Sequence, residues 1–351
     1  VFKRLGCLFF FALLAGTGWG AWQGWTWWQW ATAPPNLAAN SSSPSIQVNI
    51  EPGTPVQQIG ANLEKAGVIR SAMAWKLWAR WLRLERDAGD FQAGSYQFAP
   101  SEPMAMVADK IWNGEVMQQR FTIPEGWSQQ QMAQYFEKQG FFPAAEFLQA
   151  VTEIPDGKFP WLPRNLPHLE GFLYPDTYQL PSGKVTPETV IQQMLQRFEQ
   201  VALPLYEKGK NPLKLTLPQW VTLASIVEKE SVVSKERTII AGVFSQRLQK
   251  GMKLEADPTV EYGLGIRQTV DKPLTLTQVA IPSPYNTYLN TGLPPTAIAS
   301  PGAASLAATL APDRTEYLYF MARYDGTHIF SRTLEEHEAA IAQVEAQLQK
   351  P

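Results

Sequence analysis

A chain of 351 residues, 45% hydrophobic and 18% charged, has the make-up of a folded protein and room for an anchor plus about two domains. A net charge of −2, with no block of like charges, gives no electrostatic basis for binding nucleic acid. The single cysteine, Cys7, excludes an internal disulfide framework and cysteine-based zinc sites, and His168, His328 and His337 are too scattered in sequence to suggest a metal set.

After Lys3 and Arg4 no charge occurs until Glu51, and LGCLFFFALLAGTGWGAW is apolar over nearly the length that crosses a hydrocarbon core of about 30 Å. Residues 1–30 are therefore expected to be a cytoplasmic tip and a single transmembrane helix. Trp19, Trp22, Trp25, Trp27, Trp28 and Trp30 would form its interfacial belt, opposite the basic pair. The small-x-small tripeptide at 31–33 also suits signal-peptide cleavage, but a tryptophan cluster before it fits an interface better. Residues 31–45, rich in Pro, Ser, Asn and Ala, read as a linker.

A repeat follows. IEPGTPVQQIGANLEKAGVI (50–69) and IPEGWSQQQMAQYFEKQGFF (123–142) align without gaps. Each copy reads as a short strand, a glycine turn and a helix opened by a capping box, Thr54 with Gln57 and Ser128 with Gln131, and closed by a glycine. Between them, residues 71–84 form an amphipathic helix whose Met73, Leu77, Trp81 and Leu84 are expected to face a core. Residues 93–98 alternate like a strand, and 102–115 read as a helix ended at Asn113-Gly114. The expected boundaries are a module at 46–120 and a larger domain at 121–351.

Residues 155–183 are dense in Pro, Gly and aromatics and read as a long loop holding Glu170, Tyr174, Asp176, Thr177 and Tyr178, a mixture of flat faces and polar tips suited to sugar rings. A helix then opens with Thr216 and Gln219 in capping-box spacing. Its wheel buries Trp220, Leu223, Ala224 and Val227, turns Thr222, Ser225 and Lys229 outward, and leaves both Glu228 and Glu230 inside the apolar arc. A carboxyl there loses hydration, so its pKa rises and it can act as a general acid. The wheel does not choose between the two glutamates. Two strands flanking Tyr324-Asp325-Gly326 and a capped helix from Thr333 close the chain, with Arg323, His328 and His337 as packing or surface residues.

The stretches EGFLYPDTYQLP (170–181), LASIVEKESVVSKERTIIAGVFSQRLQKGMKLEADPTVEYGLG (223–265), SPYNTYLNTGLPPTAIASPGAASLAA (283–308) and YLYFMARYDGTHIFSRTLEEH (317–337) resemble, in order, the signature of the endolytic murein transglycosylases of the YceG-like (MltG) family. The resemblance implies an α+β protein with one N-terminal transmembrane helix, a small LysM-like module and a mixed α+β transglycosylase domain. It also implies a bacterial inner-membrane location, single-pass, with the catalytic domain outside the cytoplasm. By the same resemblance Glu230 is catalytic, and peptidoglycan strands and peptidoglycan synthases are the expected partners. No cofactor or metal is implied. The candidate substrate-binding residues are Glu170, Tyr174, Asp176, Thr177, Ser231, Asp257, Thr259, Tyr262, Asn286, Thr287 and Tyr288. A hydrolase, needing a second carboxylate such as Glu170 or Asp257, ranks next. A non-catalytic wall-binding scaffold ranks after it, and a pyridoxal-type lyase last, because Lys229 faces outward on the wheel.

Overall fold

The computed structural model describes residues 2–36, 44–86, 89–155, 157–181, 185–269, 272–323 and 325–348, without the side chains of 2–15, 119, 181, 345, 347 and 348. Residues 37–43 of the expected linker and Tyr324 of the expected hairpin turn thus lie outside the described residues. The chain is α+β, and its described strands occur only as two-stranded pairs. It divides into two compact units, residues 1–120 with 179–184, and residues 121–178 with 185–351.

The first unit contains α1 (Phe2–Thr32), β1 (Ile46–Ile50), α2 (Val56–Lys65), α3 (Ala72–Glu85), β2 (Gly94–Phe98) and α4 (Met104–Trp112). Strands β1 and β2 are antiparallel, with Ile46 opposite Phe98 and Ile50 opposite Gly94, so α2 and α3 form the crossover of a β-α-α-β unit. The core gathers Ile59, Leu63, Trp75, Leu82, Tyr96, Phe98 and Ile111. Trp75 can enter because α2 has a glycine facing it: a Cβ on Gly60 would lie 2.4 Å from the indole.

The face of α3 differs from the expectation. Met73, Leu77, Trp81 and Leu84 are exposed, and Ala74, Trp75, Ala79 and Leu82 are buried instead. The helix carries two apolar arcs, and the one with the small alanines approaches α2 more closely. Helix α1 holds the apolar stretch expected to span a membrane; among the described residues no helix is long and apolar enough to cross one. Its last turn packs into this unit: Ala31 is buried, and Trp28 stacks on Trp78 with ring centres 6.0 Å apart.

The second unit continues from β3 (Gln118–Thr122), whose pairing with β4 (Thr177–Pro181) straddles the division of the chain. Its helices are α5 (Gln129–Lys138), α6 (Ala144–Ala150), α7 (Pro187–Lys208), α8 (Leu217–Glu230), α9 (Arg237–Gln249), α10 (Asp257–Leu264), α11 (Leu276–Val279), α12 (Ala303–Leu310) and α13 (Leu334–Leu348). The antiparallel hairpin β5 (Tyr319–Ala322) and β6 (His328–Ser331) precedes α13.

The repeat is visible in three dimensions. Gly53 and Gly126 take φ of 80° and 75°, and Gly67 and Gly140 both take 74°, so equivalent glycines open and close the two copies in left-handed backbone. Ser128 and Gln131 form the expected capping box. Thr54 does not, because its hydroxyl turns back to the Glu51 carbonyl and Pro55 occupies the cap.

Helix α8 is the axis of the second unit. The Thr216–Gln219 capping box is present, and residues 220–227 are buried all round, including Thr222 and Ser225, which the wheel turned outward. Neighbouring segments cover that side: the Ser225 hydroxyl donates to the Thr222 carbonyl and accepts from the Ile298 amide at 3.1 Å. The loop of 157–176 uses its aromatic faces internally, with Phe172 and Tyr174 buried and Trp161 stacked 5.2 Å from Phe198.

Candidate active site

Two glutamates end α8, and their surroundings separate them. Glu228 is held: its Oε2 accepts from the Gly302 amide at the start of α12 at 3.0 Å, and its Oε1 lies 3.9 Å from the Arg237 guanidinium. Glu125 completes this cluster, and a Cβ at 302 would collide with its carboxyl. Burial pushes Glu125 upward in pKa, the Glu228 charge adds to that, and Arg237 opposes it. Glu228→Ala is expected to destabilise the fold by about 2 kcal/mol, since it orphans a helix-start N–H and an inward guanidinium, a loss that denaturant titration would read.

Glu230 is not held. Among the described residues no donor hydrogen-bonds its carboxyl, which lines a cleft of about 780 Å³ with Lys229, Asp257, Glu261, Gln268 and Tyr288. Burial pushes it up to about 8, the Asp257 and Glu261 carboxylates push the same way, and the Lys229 ammonium opposes them. The C-terminal end of a helix also disfavours negative charge. Near neutrality Glu230 is therefore largely protonated and poised to donate.

That proton makes stability depend on pH. The folded pKa, about 8, lies above the ordinary 4.5, so the folded state keeps a proton that the unfolded chain releases. Stability is accordingly full below the ordinary value and falls as pH rises through about 8. Glu230→Gln is expected to melt with the wild type at pH 4 and above it at pH 8.5 in scanning calorimetry. Identical melting at the higher pH would mean that the folded carboxyl is as hydrated as the unfolded one.

The neighbouring acids are gripped. Tyr288 donates to Asp257 Oδ1 at 2.7 Å, the Gln268 side chain donates to Oδ2 at 3.3 Å, and the Gln268 amide donates to Glu261 Oε1 at 3.0 Å. Asp257 and Glu261 share one face of α10, being one turn apart. A bracket of buried polar groups fixes this corner. Thr259 and Thr287 bond hydroxyl to hydroxyl at 2.8 Å, and Thr287 also accepts from the Ala256 amide at 3.0 Å. Asn286 donates to the carbonyls of Val279 and Ile281 and accepts from the Tyr288 amide. Glu255, just before α10, sits at φ 51°, a strained conformation for a residue with a Cβ, and is tied to Arg247 at 3.0 Å.

A second cleft, of about 830 Å³, shares Lys229, Pro258, Glu261 and Arg267 with the first and adds Gln129, His168, Glu170 and Tyr262. Glu170 is buried there. Its carboxylate accepts from the Gln129 amide at the start of α5 at 3.1 Å and from the Tyr262 hydroxyl at 3.0 Å. Burial pushes it up to about 7 against those hydrogen bonds.

The structure thus places Glu230, Asp257 and Tyr288 in the first cleft and Glu170 and Tyr262 in the second. Thr259, Asn286 and Thr287 are buried behind the first cleft as its scaffold. Ser231, Tyr174, Asp176 and Thr177 line neither: Ser231 is buried, Asp176 is bonded to Arg197 at 2.6 Å, and the Thr177 hydroxyl pairs with that of Thr122. Sequence reasoning passed over Glu261, Arg267 and Gln268. Only Glu261 had a signal, its one-turn spacing from Asp257.

One ungripped, protonated carboxyl in a polar cleft that adjoins a second one defines an acid–base site for an extended substrate. The YceG-like family model matches residues 48–343, and the chain belongs to that family. It is 33% identical over 312 residues to the endolytic murein transglycosylase of Bacillus subtilis, spanning 85% of this chain and 84% of that protein. Over 337 residues it is 30% identical to the endolytic murein transglycosylase of Streptococcus pneumoniae, spanning 88% of this chain and 59% of that one. The crystal structure of a YceG-like protein from Listeria monocytogenes matches with a TM-score of 0.56 at 32% identity, covering 85% of this chain and 100% of that one.

Proposed function

We propose that the chain is an endolytic peptidoglycan transglycosylase, cleaving the β-1,4 bond between N-acetylmuramic acid and N-acetylglucosamine and leaving 1,6-anhydro-muramic acid ends. The observation that carries this is the contrast among the cleft carboxyls: Asp257, Glu261, Glu255 and Glu170 are each held by protein donors, and among the described residues no donor holds Glu230. Protonated Glu230 gives its proton to the glycosidic oxygen as the bond to the muramic C1 breaks and oxocarbenium character develops. The resulting carboxylate takes the proton of the C6 hydroxyl, whose oxygen closes on C1. No water is consumed and Glu230 ends protonated, as it began. Hydrolysis would need a second carboxylate free to activate water, and each alternative is already engaged.

The membrane-bound part of the proposal has a separate basis. The apolar stretch within α1 and its tryptophans suit a single-pass anchor at the bacterial plasma membrane, with the chain that follows it outside the cytoplasm. The β1-α2-α3-β2 unit suits a LysM-like module holding glycan near that surface. Cleavage there would terminate nascent strands beside peptidoglycan synthases. Size analysis of products from long uncrosslinked strands tests the mode of attack. Early fragments of intermediate length are expected from internal cuts, and a ladder starting at disaccharide would overturn endolytic action.

A further inference from the structure

The exposed arc of α3 is unexplained by the site or by the core. Met73 is 60%, Leu77 47%, Trp81 49% and Leu84 79% exposed, and at helical spacing the four form one stripe. Lys76 and Arg80, both exposed and in no ion pair among the described residues, run along one margin. Arg83 on that side is neutralised by Asp90 at 2.7 Å, and Glu85 lies at the other margin. An apolar stripe edged by free cations on a short helix is the pattern of a helix that lies in a bilayer surface.

The stripe is also continuous with α1. Trp28 stacks on Trp78, and Trp78 meets Trp81 edge-on with ring centres 5.2 Å apart, so an aromatic chain runs from α1 to the exposed arc. Arg70 donates to the Trp30 and Pro35 carbonyls, fixing the same junction. Trp28 lies about 9 Å of helix rise beyond Trp22, where the apolar run ends. On a bilayer with a core of about 30 Å within 40–45 Å overall, that is close to the headgroup layer.

We propose that α3 is an interfacial helix: the Met73/Leu77/Trp81/Leu84 face lies in the headgroup layer of an anionic bilayer, with Lys76 and Arg80 against lipid phosphates. This seats the first unit on the membrane rather than leaving it on a free tether, and it builds on α1 being an anchor.

The test uses the full chain reconstituted in vesicles of phosphatidylglycerol and phosphatidylcholine, with an environment-sensitive fluorophore at Leu77→Cys or Leu84→Cys in a Cys7→Ser background. Gln58→Cys, exposed on α2, is the aqueous control, and wild type labelled at Cys7 reports α1 by itself. The expected result is blue-shifted emission at 77 and 84, quenched by nitroxide lipid, with the label at 58 unaffected. Lys76→Glu/Arg80→Glu should return the label at 84 toward water. Labels at 77 and 84 as polar as that at 58, with Cys7 quenched, would overturn the proposal, leave the anchor standing and give the stripe to a protein partner. Quenching at 77 and 84 with Cys7 in water would keep the interfacial helix and sink the anchor. All labels in water would overturn both.

Discussion

Glu230→Gln is expected to lower the rate of strand cleavage by about 10³-fold or more, because the amide can neither give the proton that frees the leaving oxygen nor take one from the closing hydroxyl. The loss should appear in kcat with little change in KM, since Glu230 makes no hydrogen bond among the described residues and the gripped groups around it remain in place. The wild-type pH profile of kcat/KM should be set on its alkaline side by this carboxyl, falling as pH rises through about 8. Asp257→Asn removes one of the charges that push Glu230 up, so its falling limb should move to lower pH. A variant at 230 that keeps a tenth or more of the wild-type rate, or a limb indifferent to Asp257→Asn, would remove Glu230 from the proton path.

Gly171→Ala is expected to cost about 2–4 kcal/mol, a large part of the stability of a domain. Gly171 sits at φ 84°, and a Cβ there would lie 2.4 Å from the Ala297 Cβ and 2.7 Å from a Val221 methyl, both on buried residues. The backbone cannot retreat easily, because the preceding residue, Glu170, is bonded to the Gln129 amide and to Tyr262. Strain therefore reaches the second cleft as well, and weaker substrate binding should accompany the lower melting temperature. A stability change under 0.5 kcal/mol in urea titration would show that this loop does not pack on α8 as described.

Local signals were legible where the chain itself supplies both partners. The capping boxes at Ser128 and Thr216 pair residues three apart, and the paired glycines of the repeat need only the backbone. Sequence reasoning failed where distant segments decide. The wheel of α3 offered two apolar arcs, and Gly60 on the next helix selected the one with Trp75. Thr222 and Ser225 look like a solvated face until the segment around Ile298 covers them. Glu228 and Glu230 were equal on the wheel. The separation comes from Gly302, 74 positions further along the chain, which takes one carboxylate and leaves the other free. The aromatic loop looked like a sugar platform, yet its rings pack inward and, of its described residues, only His168 and Glu170 line either of the two clefts. Arg267 and Gln268 follow α10 in a loop without periodicity, so nothing marked them.

The most direct test of the central claim is mass spectrometry of fragments released from peptidoglycan strands by the wild type and by Glu230→Gln. Fragments ending in 1,6-anhydro-muramic acid, one water lighter than hydrolytic products and absent with the variant, are the expected result. Reducing-end fragments from the wild type would contradict it, making the enzyme a hydrolase with a second carboxylate released from its donors during turnover.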